Sequence, residues 1–261
     1  MLINMHSYHM SRLYSTLFAL LVLLMPASLF AQQELLNNAT FAYDSAQYQQ
    51  VIDLYQQVAD QYGVSADLYY NIGNAYFKLK DYPHAILNYE RCLLHDPANA
   101  DAQQNVELAR AQCVDRVETI TPPIFVTWSR ALRDVLSCSA WGHLGIVTFL
   151  LFLVGGGVYF FSSNTTLRKT GFYSGLLCLL LFLISINYAG QQRDKLLERD
   201  QAIVLVPSVV VRSSPADSGT QLFTIHEGLK VRVRSTLSGW SEIELSDGKV
   251  GWIPSDGLEV I

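Results

Sequence analysis

The chain has 261 residues, 50% of them hydrophobic, and a formal net charge of -5; its mean hydropathy is +0.20. That is too apolar for one ordinary soluble domain and too polar for a pure membrane bundle. The mild acidity and the lack of any long basic run argue against nucleic acid as the main partner.

The chain opens on an apolar run. Arg12, with no acid before it, precedes an apolar core over Leu17–Met25; Pro26 breaks it, and small residues come next, up to Ala31. This is the anatomy of a secretory signal peptide over residues 1–31. The other reading is an uncleaved anchor helix. Both send the segment after residue 31 out of the cytoplasm.

Residues 66–99 read ADLYYNIGNAYFKLKDYPHAILNYERCLLHDPAN. Large and small residues alternate at fixed offsets: Tyr69, Ile72, Gly73, Tyr76, Ala85, Tyr89 and Pro97. The pattern resembles a tetratricopeptide repeat, a helix–turn–helix unit of about 34 residues. Lys80 stands where that family usually has a turn glycine, and Cys92 where it usually has alanine. A weaker copy precedes it over about 32–65, with Ala39, Tyr48, Val51, Tyr55 and Val58 in matching places. A capping helix is expected over 100–113, which makes 32–117 a repeat domain. Such arrays usually need about three units, so support is expected from a partner, a second copy or the membrane-proximal segment. The resemblance implies a concave face lined by Tyr70, Asn74, Phe77 and Lys78, joined by Leu36, Thr40 and Tyr43 of the first copy. Rings that pack, an amide for backbone and an ammonium for a carboxylate suit a peptide partner. The alternative is that these side chains are solvated or serve the domain itself.

Residues 118–140 form a linker. Pro122 and Pro123 stop the preceding helix. Phe125, Trp128, Leu132 and Leu136 then recur near helical spacing. Such a helix would lie flat on a bilayer or pack under the repeats; the spacing fits both.

Two runs without a single Lys, Arg, Asp or Glu come next, 141–161 and 172–190. Each is near the roughly 20 residues needed to cross a bilayer. The loop between them, 162–171, carries Arg168 and Lys169 and no acid, so it is expected to face the cytoplasm. Gly155, Gly156 and Gly157 are expected to face Gly175 and Cys178 as hairpin packing. They lack the lysine and the strand–loop–helix setting of a phosphate cradle.

After a short charged helix or linker, 191–200, the pattern turns β-like. Leu229, Val231 and Val233 alternate with Lys230, Arg232 and Arg234, and Ile243 and Leu245 with Glu242 and Glu244. Pairing between these two charged faces is expected to consume much of that surface. Asp247-Gly248 and Asp256-Gly257 mark turns. With Val211-Arg212-Ser213, Glu227-Gly228, Trp240 and Gly251-Trp252 in order, residues 201–261 resemble a bacterial SH3-like domain. Arg212, Trp240 and Trp252 are the candidates for a shallow site there.

No chemistry-bearing motif appears. The six histidines are scattered, and the four cysteines, Cys92, Cys113, Cys138 and Cys178, form no CxxC or zinc pattern. A Cys92–Cys113 bridge is left open. No catalytic residue, metal or cofactor is expected, and the chain reads as a non-enzyme.

The expected fold is thus a multidomain α + β membrane protein: helical tetratricopeptide repeats, a two-helix transmembrane hairpin and a small SH3-like β-barrel. The order of modules resembles BatE-type aerotolerance-operon proteins. That resemblance implies a two-pass protein of the inner (cytoplasmic) membrane with both soluble parts in the periplasm. It implies a scaffold that recruits Bat-type von Willebrand-domain membrane proteins, in contact with membrane lipid. The alternative is a sensor whose SH3-like domain holds peptidoglycan or its peptides, a cell-wall component.

Overall fold

The computed structural model describes residues 27–115 and 123–261. The signal-peptide reading therefore lies outside the described residues up to residue 26, as does the start of the linker. The chain divides into two units, 1–64 and 65–261.

In the first unit α1 (Ala27–Asp44) and α2 (Tyr48–Tyr62) are joined by a short turn. Ala39, Ala42, Val51, Ile52, Tyr55 and Val58 are buried. In the second unit α3 (Ala66–Lys78) and α4 (Tyr82–His95) repeat this pattern. Ser65 caps α3 by accepting from the Leu68 N–H, and Asp81 caps α4 by accepting from that of His84. Ala39, Val51, Tyr55 and Val58 correspond to Gly73, Ala85, Tyr89 and Cys92 one repeat length of about 34 residues later, and all eight are buried. Gly73 is small for a visible reason: a Cβ there would meet Tyr89 Cε1 at 2.7 Å. The Tyr89 hydroxyl donates to Asn74 Oδ1 at 2.8 Å, which fixes the ring in that gap. α5 (Ala100–Arg110), capped by Asn99, adds Val106 and Ala109 to the same core.

Lys80 has φ of 62° and Ala46, at the equivalent turn of the first unit, 58°. Left-handed backbone costs a side-chain-bearing residue roughly 1–2 kcal/mol; glycine in turn gives up some unfolded-state advantage. Lys80→Gly is therefore expected to stabilise the protein by about 0.5–1 kcal/mol, read by urea unfolding of the detergent-solubilised chain. A loss of stability would show that the Lys80 side chain contributes something the turn geometry does not reveal.

α6 (Ile124–Arg133) leads into α7 (Cys138–Phe161) and α8 (Thr165–Glu198). α7 and α8 are long and apolar enough to cross a membrane, and their apolar windows are only 17% and 11% buried. They meet where backbones approach: a Cβ on Gly155 would lie 2.9 Å from Gly171 O and 3.1 Å from Gly175 Cα. Gly156 and Gly157 have nothing within 4 Å of a Cβ, so the packing expected of all three glycines narrows to Gly155. Two boundaries also move. The loop read over 162–171 shrinks to Ser162–Asn164, because Asn164 caps α8 through the Thr166 N–H and nothing after it breaks a helix. The second span's helix also runs past residue 190: of the two readings for 191–200, a short charged helix or a linker, the helix holds, and Gln191–Glu198, most of them good helix formers, continue α8.

β1 (Gln201–Val204), β2 (Ser208–Arg212), β3 (Gln221–His226), β4 (Lys230–Leu237), β5 (Trp240–Glu244), β6 (Val250–Pro254) and β7 (Leu258–Val260) form one antiparallel sheet in the order β3-β2-β6-β5-β4-β1-β7. Its core is Ala202, Val204, Val211, Ile225, Leu229, Val231, Ile243, Leu245 and Ile253. Phe223 packs on that core, as its strand alternation indicates.

Candidate binding surfaces

The face of α3 that reads as a peptide groove is partly occupied from within. Tyr70, Asn74 and Phe77 are half-buried and Lys78 is exposed. Asn74 Oδ1 accepts from Tyr89 and, at 3.0 Å, from Asn105 Nδ2 on α5. Tyr70 lies against Tyr89 with ring centroids 6.1 Å apart, and Phe77 meets Tyr82 edge-on at 5.5 Å. Tyr70 and Phe77 thus also cover the core. What this face still offers a ligand is the Asn74 amide N–H groups, which make no hydrogen bond among the described residues, the rims of two rings, and the Lys78 ammonium. In the first unit Tyr43 is half-buried, its ring 5.5 Å from that of Tyr48, and the Thr40 hydroxyl donates back to Leu36 O.

On the C-terminal sheet the register brings the three candidates onto one outward face. Ser241, Ile243, Gly251 and Ile253 point inward, so Trp240, Glu242, Trp252 and Pro254 point out. Arg212 sits across from Trp252, Trp252 from Glu242, and Trp240 from Pro254. Arg212 is held by donating to Gly219 O at 3.0 Å. The result is a shallow aromatic and charged shelf, with an acid at one end that the strand pattern alone did not place there.

The expected charge pairing between β4 and β5 holds for one cation only. Arg234 forms a forked pair with Glu244 at 3.0 and 2.9 Å. A bulge between Val233 and Ser235 shifts the register, so that Glu242 accepts from Ser235 instead. Arg232 turns to Asp200 at 3.0 Å. Lys230 leaves the sheet and binds Glu90 Oε2 of α4 at 2.7 Å.

That last bond belongs to a surface that no motif in the sequence marks. The C-terminal sheet is docked on α4 and α5. Ile203 of β1, with Leu205 and Ile261 beside it, packs among Ile86, Val106 and Ala109. Ile86 and Ile203 are 0% exposed, and burying each such side chain contributes about 1.5–3 kcal/mol. Polar contacts ring this apolar centre. Glu90, itself buried, accepts from both Arg110 and Lys230. Arg91 binds Glu259 at 2.9 Å and donates to Val260 O. Asp115 accepts from the His226 backbone N–H at 2.6 Å and bonds its ring Nδ1 at 2.9 Å. The signal was present in β1: Ala202, Ile203 and Val204 are consecutive and all buried. A continuous apolar run marks a strand covered on both faces. Ala202 and Val204 enter the sheet's own core, and Ile203 enters the repeat's.

All four cysteines are free. Burial first, then the nearby Asp96 and Asp67 carboxylates, push the Cys92 thiol up to about 12. Burial, with Glu227 and Asp115, also raises Cys113. Only thiolate reacts with maleimide, so Cys92 is expected to stay unlabelled in the folded protein near pH 8 and to label fully in urea, as read by mass spectrometry. Rapid native labelling would contradict its place in the core.

Two comparisons with known families bear on these surfaces. Residues 66–99 match the tetratricopeptide repeat family, and residues 207–259 match the family described as bacterial SH3 domain. The comparison with curated proteins returned no relative. The second match ends on β7, inside the docked surface, and the first covers α3 and α4, which carry the other side of it. The chain thus contains a tetratricopeptide repeat and a bacterial SH3 domain, both modules of a kind that binds proteins or other ligands.

Proposed function

We propose that the chain is a membrane-anchored scaffold in which the repeat and the SH3 domain act as one binding head. The observation that carries this reading is the docked surface itself: two recognition modules share a buried centre at Ile86 and Ile203 beside the apolar hairpin. α7 and α8 are the anchor. Trp141 and Tyr188 pair at one end, with rings 5.2 Å apart, and Tyr159 lies under Arg168 at the other. Trp141 and Tyr159 are separated by about 27 Å of helix at 1.5 Å per residue, near the thickness of a hydrocarbon core, with aromatics where interfaces favour them.

Arg168 and Lys169, at the start of α8 beside the Ser162–Asn164 turn, support a cytoplasmic turn and a periplasmic head in the inner membrane. Cysteines introduced at Ser163 and Ser218, in a chain without native thiols, test this. An impermeant reagent added to spheroplasts is expected to label Ser218→Cys alone; labelling of Ser163→Cys alone reverses the orientation. The order of modules supports placing the protein among BatE-type envelope scaffolds, with Bat-type von Willebrand-domain membrane proteins as partners and a role in aerotolerance. We read it as a binding protein without catalysis of its own, on the strength of its motif content.

A second reading is favoured by the bacterial SH3 match and the shelf of Arg212, Trp240 and Trp252: the SH3 domain holds a peptidoglycan peptide. Point variants separate the two, because deleting the domain would strip cover from Ile86. In affinity capture from detergent-solubilised membranes, Lys78→Glu is expected to lose protein partners and Trp252→Ala to keep them. Binding of muropeptides lost in Trp252→Ala, with capture unchanged by Lys78→Glu, would replace the scaffold reading by the wall-binding one.

A further inference from the structure

The linker helix α6 has an apolar side that none of the described residues covers. Ile124, Phe125, Trp128 and Leu132 are 67%, 69%, 69% and 53% exposed. At 3.6 residues per turn these four positions fall within an arc of about 100°, the width of a face made for burial. Arg130 lies on the far side of that arc. A helix packed under the repeats would have buried these side chains; this one turns them away.

The C-terminal end of the helix is tied down. The Arg133 carbonyl, at its last turn, accepts from the Trp141 indole N–H at 2.8 Å and from Gln192 Nε2 at 2.8 Å. The same Gln192 nitrogen donates to Leu136 O at 2.7 Å. Gln192 and Trp141 belong to α8 and α7, so the end of α6 is pinned to the head of the hairpin. Asp134, held by Arg133 at 2.7 and 2.8 Å with Lys195 nearby, makes a charged collar at the same level. An exposed apolar face is thereby fixed where the apolar surface of α7 and α8 ends and the polar head begins.

We infer that α6 is an interfacial helix: its Ile124–Phe125–Trp128–Leu132 face lies in the headgroup region of the bilayer crossed by the hairpin. The occupant is lipid because the helix is tied at Arg133 and Leu136 to the end of the apolar spans, and because tryptophan and a far-side arginine suit that depth. Pinned α6 then sets the tilt and height of the binding head over the membrane. The inference rests on the anchor reading of the hairpin, and the test separates them.

The full chain, with its native cysteines replaced, is reconstituted in phosphatidylcholine vesicles. It carries one fluorophore at a time on Trp128→Cys, Arg130→Cys or Val154→Cys, and the vesicles contain lipid with a quencher at shallow or deep positions. An interfacial helix sits about 5–10 Å into the headgroup and acyl boundary. The Trp128 label is therefore expected to be quenched about twofold more by shallow than by deep quencher, the Val154 label to show the reverse preference, and the Arg130 label to be little affected. Quenching at Val154 with none at Trp128 would overturn the interfacial helix and leave the anchor standing. A Trp128 label that is shielded yet unquenched would mean a protein covers this face, and would overturn the inference equally. Quenching at neither site would overturn both the helix assignment and the anchor.

Discussion

Replacing Gly228 by alanine is expected to loosen the SH3 domain from the repeat. Gly228 has φ of 83°, where an L side chain costs roughly 1–2 kcal/mol. A Cβ there would also run into Cys113 Sγ and lie 3.2 Å from Ile86 Cδ1. Overpacking of this kind costs roughly 1–3 kcal/mol, so Gly228→Ala should lose about 2–5 kcal/mol in urea unfolding of the detergent-solubilised chain. The two costs can be separated. Cys113→Ala removes the sulfur and should return most of the overpacking share in the double variant, while the backbone share remains. The coupling expected is about 1–2 kcal/mol, within the range seen for residues in contact. Additive single effects would mean that Gly228 and Cys113 do not meet.

The second large effect is expected at Glu90. Its carboxylate is buried and binds both Arg110 and Lys230, joining α4 to α5 and to β4. Removing one member of a buried ion cluster typically costs about 3–5 kcal/mol, because charge is left unpaired. Here the Arg110 and Lys230 side chains are 37% and 32% exposed and can turn to water, so the lower figure of about 2–3 kcal/mol is expected for Glu90→Ala. Glu90→Gln keeps the shape and an acceptor and should lose about half of that. Glu90→Lys sets three cations together and should undock the domain; adding Lys230→Glu should recover part of the loss. A Glu90→Ala chain within about 0.5 kcal/mol of the parent would show that the cluster is already solvated and contributes nothing to docking.

The sequence was most legible where one residue type answers one local need. Gly73 and Ala85 are small because Tyr89 and its neighbours fill the space, and that alternation is readable without coordinates. The strand alternation around Ile243 and Leu245 is legible for the same reason. Contacts between modules were not. Lys230 and Glu90 are far apart in the chain, and a lysine on a strand's polar side reads as solvated until the opposite surface is known. The Ile203 run was a signal of cover on both faces, but it did not say what the cover is. Asn74 was legible as polar and not as spoken for, since Asn105 and Tyr89 reach it from other helices. In the hairpin, three consecutive glycines could not reveal that the crossing uses Gly155 alone, because that depends on the rotation of α7 against Gly171 and Gly175. The peptide groove gained the least. Its positions come from repeat geometry, and their partner chemistry is a proposal to be tested at Lys78.

A short repeat array needs something over its last helices, and the docked SH3 domain supplies it. Hydrogen exchange on the full chain in detergent, compared with the Glu90→Lys chain, tests this claim most directly. If the two modules form one head, undocking should speed exchange both in β1, around Ile203, and in α4 and α5, from Ile86 to Ala109, while β5 and β6, around Ile243 and Ile253, keep their protection. Unchanged exchange across α4, α5 and β1 would contradict the account and leave the repeat and the SH3 domain as independent modules.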